Sequence, residues 1–162
     1  MFRTLFFLAA TVVTTMSSAH DYKHDVFHAD HPWARPTFAL ATTGAAYLKL
    51  DYLGKTTDRL VGASVSDQIA DEVQIHDVIM QGDVMQMRQL KTGVAFSAGD
   101  SIYFSPGGKH LMLLGLKGPL EDGTEFDMTL HFETADDLNV VVKVENPTDG
   151  PQQDHSNHQH HH

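Results

Sequence analysis

The 162-residue sequence contains no cysteine. That absence excludes disulfides, thiolate zinc sites, cysteine nucleophiles and a blue-copper centre, all of which need cysteine sulfur. Basic residues are scarce too: 11 Lys and Arg stand against 21 Asp and Glu, for a formal net charge of −10. A surface of that sign offers little to nucleic acid or anionic lipid and suits cations or a basic partner. Long hydrophobic runs are missing apart from Leu5 to Val13, which follows Arg3 and precedes Ser17-Ser18-Ala19. This is the layout of a secretory signal peptide cleaved after Ala19, with an apolar stretch too short to span a bilayer. The mature chain is expected to begin at His20, in a periplasmic or similar exported space, with no membrane span. Catalytic signatures are also lacking. There is no nucleophile elbow, phosphate-cradling glycine loop or His-Glu-x-x-His helix, so the chain does not read as an enzyme.

What remains suits one domain with one core. Composition divides it into a polar, His-containing segment over residues 20–31, a folded domain over 32–146, and a tail over 147–162 that reads as disordered. Inside the domain, short runs that alternate or are rich in β-branched residues predict strands near 45–52, 60–65, 72–79, 84–90, 101–104, 110–116, 126–132 and 138–144. With turn residues between them and no amphipathic helix, these predict an all-β, immunoglobulin-like antiparallel sandwich.

Against the missing cysteines stand 12 histidines and 7 methionines. If Gln81-Gly82 forms a two-residue hairpin loop, His76 falls directly opposite Met87, on the same face. A loop at Gly82-Asp83 would break that pairing. His110 and Met112, two apart on a strand, also share a face. Any one of these residues alone reads as packing or as an idle surface group. Two His–Met pairs together make a soft, neutral donor set that favours Cu(I) over harder ions. Met80 and Met85 can substitute on the same hairpin face. Met128 reads as core, His131 as solvated, and Trp33 as a core anchor.

The order His76, ten residues, Met87, then Pro106-Gly107-Gly108-Lys109-His110-Leu111-Met112 resembles the periplasmic copper-chaperone family PCuAC. His31-Pro32-Trp33-Ala34-Arg35-Pro36, Gly44-Ala45-Ala46-Tyr47 and Val73-Gln74-Ile75-His76 extend the resemblance over most of the domain. It implies a cupredoxin-like sandwich that binds Cu(I) through His76, Met87, His110 and Met112. It also implies delivery to cytochrome c oxidase, to the CuA centre of subunit II. The 22 residues between Met87 and His110 are one more than the family pattern, which leaves Met85 open in place of Met87.

His155, His158, His160, His161 and His162 form an interrupted cluster with Asp154, suited to Cu(II) or Zn(II). An N-terminal His20 could chelate copper through its amine and ring. Alternatives to a chaperone are a copper buffer or resistance protein, a structural or adhesion sandwich with incidental histidines, and a copper enzyme built on His20.

Overall fold

The computed structural model describes residues 21–24 and 26–146. The leader with its cleavage point after Ala19, His20, and the tail with its five histidines lie outside the described residues.

Eleven strands make up the fold: β1 (Asp21–His24), β2 (Phe27–Ala34), β3 (Thr43–Tyr52), β4 (Asp58–Val65), β5 (Glu72–Gln81), β6 (Val84–Gln89), β7 (Val94–Phe96), β8 (Ser101–Phe104), β9 (His110–Leu114), β10 (Glu125–Phe132) and β11 (Leu138–Val144). Hydrogen bonding runs β2-β11-β10-β4-β5-β9-β3, and β3 pairs back onto β2, so the two layers of the sandwich are joined at both seams. Among the described residues, all ladders are antiparallel except β2–β11, where Lys143 and Val144 run parallel to Trp33 and Ala34. This one departure from the antiparallel expectation joins strands from opposite ends of the domain, far enough apart in sequence for a parallel pairing to be reachable.

The core follows the period-two alternation of the strands. Leu111 and Leu113 of β9, Met128 and Leu130 of β10, and Val140, Val142 and Val144 of β11 are all almost wholly buried. Phe27 stacks on Phe132 at 3.8 Å between ring centroids and meets Phe96 edge-on at 5.2 Å. Residues 27–31, set apart by polar composition, therefore belong to a core strand. Its inward positions, Phe27 and Ala29, are interleaved with the polar His28 and Asp30, which obscured the alternation. His28 lies 3.5 Å from the Asp51 carboxylate.

Strand β2 changes face partway along. Between Asp30 and Trp33 its register against β3 slips by one residue, and His31 takes a φ of 47° at the slip. Such a bulge reverses which residues point inward. Phe27 and Ala29 are buried before it, Pro32 and Ala34 after it. Trp33 is thus turned onto the outer face, half-buried, with its ring 4.6 Å from Tyr47. The sequence expectation of Trp33 as a core anchor is corrected accordingly.

Candidate metal centre

Strands β3, β9, β5 and β6 lie side by side and present one outer face. On β5, Val73 and Ile75 point into the core, while Gln74, His76 and Val78 point outward. On β9, His110 and Met112 alternate with the buried Leu111 and Leu113. The β5–β9 register sets His76 directly opposite His110, and their rings lie 5.7 Å apart. Met112 stands opposite Gln74 on one side and Ala45 on the other.

The hairpin register differs from the expected one. The loop is Gly82-Asp83, so Gln81 pairs with Val84, Val78 with Met87, and His76 with Gln89. Gly82 has φ +64° and Asp83 does not share a positive φ, the arrangement of a II′ loop with glycine first. Moving a two-residue loop by one position shifts the pairing by two residues, and a shift of two preserves the face. Met87 is therefore a diagonal neighbour of His76, still on its face, and not its direct partner.

Met87, His110 and Met112 line one cleft of about 350 Å³ together with Val78, Tyr47 and Arg35, and His76 stands beside His110. The four residues singled out from sequence come together here. Met87 is 65% exposed, Met112 is half-buried and His110 is buried. The cleft thus combines a solvent-facing thioether, Met87, with a buried imidazole, His110.

The hydrogen bonds fix which ring nitrogens are available. His110 Nδ1 lies 2.9 Å from the carbonyl oxygen of Gly108, which can only accept, so Nδ1 carries the proton and Nε2 keeps its lone pair. The Gln74 amide donates to Glu72 Oε1 at 2.9 Å, which turns Gln74 Oε1 toward His76 Nε2, also at 2.9 Å. His76 Nε2 must then donate. That leaves His76 Nδ1 with its lone pair, buried and without a hydrogen-bond partner. A bare buried nitrogen is costly unless something binds it. Burial first, and the neighbouring His110 second, lower the His76 pKa below its ordinary 6.5, so this ring is neutral at neutral pH.

Among the described residues, no group of three or more His, Cys, Asp or Glu side chains is placed to hold a metal. The donors in and beside this cleft are two imidazoles and two thioethers, which fit a soft monovalent cation and poorly fit zinc or calcium. Glu72 and Gln74 were not foreseen as part of the site. The rule that put Met112 beside His110, two residues apart on one strand, also puts Gln74 beside His76. Replacing Gln74 with leucine releases the His76 tautomer and should weaken Cu(I) binding about 10- to 100-fold, as loss of outer-shell partners typically does. A competition titration against a Cu(I) chelator measures it, and unchanged affinity would show that the amide does not orient the ring.

Two further contacts lie near the site. Lys109 Nζ reaches Asp77 Oδ2 at 3.0 Å and ties the hairpin to the turn before β9. That turn needs the left-handed backbone of Gly107, φ +81°, to return the chain so that Ser105 N–H can donate to the Lys109 carbonyl. Tyr47 lies 6.4 Å from His110 between ring centroids, and burial raises its phenol pKa.

The remaining candidates lie elsewhere. Met80 and Met85 face each other nearer the hairpin tip and do not line the cleft. Met128 is core. His131 bridges Ser64 Oγ at 2.8 Å and Asp137 Oδ2 at 2.9 Å. This has the order of a nucleophile, base and acid, but Ser64 sits within the flat β4–β10 ladder and not on a turn that presents a nucleophile.

The family model described as LpqE-like matches residues 27–144. Lxx21020 of Leifsonia xyli, whose name describes it as a lipoprotein, is 35% identical over 100 residues, covering 62% of this chain and 59% of its own length. The chain thus spans less than two thirds of that relative. RP573 of Rickettsia prowazekii is 32% identical over 127 residues, covering 76% of this chain and 68% of its own. Among solved structures, the copper-bound PCuAC domain from PmoF2 superposes with a TM-score of 0.65 at 24% identity, covering 79% of this chain and 99% of that one. Cu(I)-loaded DR1885 from Deinococcus radiodurans superposes at 0.54 with 25% identity, covering 72% and 76%. These likenesses identify the sandwich as cupredoxin-like.

Proposed function

The chain belongs to the LpqE-like, PCuAC-type family, and from that premise we propose that it is an exported copper chaperone, not an enzyme, that carries Cu(I) on His76, Met87, His110 and Met112. The observation that carries the reading is the pair of adjacent imidazoles, the buried Nδ1 of His76 without a hydrogen-bond partner, set beside two thioethers. The Cu(I) form of a relative with this fold supports it. No helix among the described residues is long and apolar enough to cross a membrane, and the lipoprotein named among the relatives fits export.

The donor set suits carriage. All four donors are neutral, so the bound ion keeps its charge and remains attractive to an anionic thiolate. Exposed Met87 is the ligand an acceptor reaches first, and its departure leaves copper on the protected imidazoles while the incoming sulfur bonds. Following the resemblance, the acceptor is the CuA centre in subunit II of cytochrome c oxidase. The expected result is copper transfer from the loaded chain to a reduced, thiolate-bearing CuA domain, at a rate that rises with acceptor concentration. Mass spectrometry of the mixture follows it. A rate independent of acceptor, equal to loss to a small chelator, would make the protein a copper buffer instead.

The tail histidines 155, 158, 160, 161 and 162 form, in the same proposal, a weaker Cu(II) site. Imidazoles bind metal only when neutral and protonate near their ordinary pKa of about 6.5. Deleting residues 154–162 should remove one acid-sensitive Cu(II) equivalent and leave Cu(I) affinity unchanged. Isothermal titration with each ion checks both halves, and an unaltered Cu(II) stoichiometry would remove the tail from the account.

A further inference from the structure

Past the cleft, the outer face of the β5–β6 hairpin continues toward its turn. Along this face run His76, Val78 and Met80 on one strand and Gln89, Met87 and Met85 on the other. None of the six is charged, whereas Asp77 and Arg88 fall on the opposite face. Met80 stands directly across from Met85, and each is 62% exposed. Methionine in that position contributes little burial, so packing does not explain the pair.

Directly opposed residues on antiparallel strands have Cβ atoms about 4.5–5.5 Å apart, and methionine's three rotatable bonds let both sulfurs close on one ion. Met85 and Met87 are two apart on β6 and share the face, which puts the pair one ligand exchange from the cleft. We propose that Met80 and Met85 form a second, thioether-only site for a soft monovalent cation, Cu(I) or Ag(I), which passes the ion to Met87. The inference rests on reading His76, Met87, His110 and Met112 as the principal site. Two thioethers without an imidazole hold the ion less firmly than the mixed set, so the gradient runs inward from the hairpin tip. The handover is ligand exchange alone. One sulfur–metal bond forms as another breaks, with no electron or proton moved.

The experiment titrates Ag(I), a redox-inert stand-in for Cu(I), into the full chain labelled at its methionine methyl groups and follows them by NMR. Met87 and Met112 should shift in a first phase, and Met80 and Met85 should shift together in a later, weaker one. Buried Met128 should stay fixed throughout as the internal reference. In Met80→Leu, which keeps apolar volume and removes the sulfur, Met85 should lose its later-phase shift while Met87 and Met112 keep theirs. If Met80 and Met85 stay fixed while Met87 and Met112 respond, the second site is wrong and the principal site stands. An unaltered Met85 response in Met80→Leu, or Met85 responding in the first phase in place of Met87, would also overturn the pair. No response at Met87 or Met112 would bring down the principal site itself.

Discussion

Met112→Ala and His76→Ala, made separately, will each lower Cu(I) affinity by at least about a hundredfold, since even outer-shell partners of a ligand are commonly worth 10- to 100-fold. The two losses differ in cause. Met112 lines the wall of the cleft, and under the proposed ligation alanine there would leave a Cu(I) ion with one sulfur and two nitrogens. His76 supplies the buried Nδ1 that nothing else in the fold satisfies. Alanine at position 76 also removes that unsatisfied atom, so the metal-free domain should lose little or no stability even as it loses copper. Affinity falling with unchanged melting temperature is the signature of a side chain kept for binding. His131→Ala is the control, because His131 lies on β10, held by Ser64 and Asp137 away from the cleft. Competition with a Cu(I) chelator measures all three, and a His76→Ala protein that binds as tightly as the parent would refute the assignment.

The largest effect on stability is expected at Asp58→Ala. Asp58 opens β4, is only 5% exposed, and accepts backbone N–H bonds from Arg59 at 2.7 Å, Thr134 at 3.0 Å and Ala135 at 2.9 Å. It anchors the turn between β10 and β11 to the opening of β4. Alanine removes the one carboxylate that accepts from all three of these part-buried N–H groups. A hydrogen bond to a charged group is worth about 1.5–3 kcal/mol, so loss of a carboxylate that holds three should cost about 3 kcal/mol. Urea unfolding should show a lower midpoint. Cu(I) affinity below the transition should be unchanged, because Asp58 does not line the cleft that holds Met87, His110 and Met112. A midpoint within error of the parent would mean that water replaces the carboxylate.

Much of this architecture was legible in the sequence because strands β5, β10 and β11 carry clean alternation, and a period of two converts directly into an inward and an outward face. Strand β2 was obscured for a specific reason. Its bulge at His31-Pro32 changes the phase of the alternation in mid-strand, so neither half is long enough to stand out. Strand β7, with three residues, is shorter than any pattern can mark. At the site, residue types and two-residue spacing pointed to the one outer face on which His76, Met87, His110 and Met112 lie. The hairpin register did not follow, because Gly82 serves equally well as the first or second residue of a two-residue loop. Local spacing also could not bring His110 to His76. That pairing depends on β9 docking against β5, a contact between strands 34 residues apart at these positions. The tautomers of the two histidines depend in turn on Gly108, Gln74 and Glu72, and become readable only once hydrogen-bond distances are known.

One Cu(I) among two imidazoles and two thioethers is the proposed state of the loaded chain. X-ray absorption at the copper edge, on the chain loaded with one equivalent under reducing conditions, tests it most directly. The first shell should contain both nitrogen and sulfur scatterers, with the sulfur contribution falling by about half in Met112→Ala. A first shell of nitrogen and oxygen alone would contradict it.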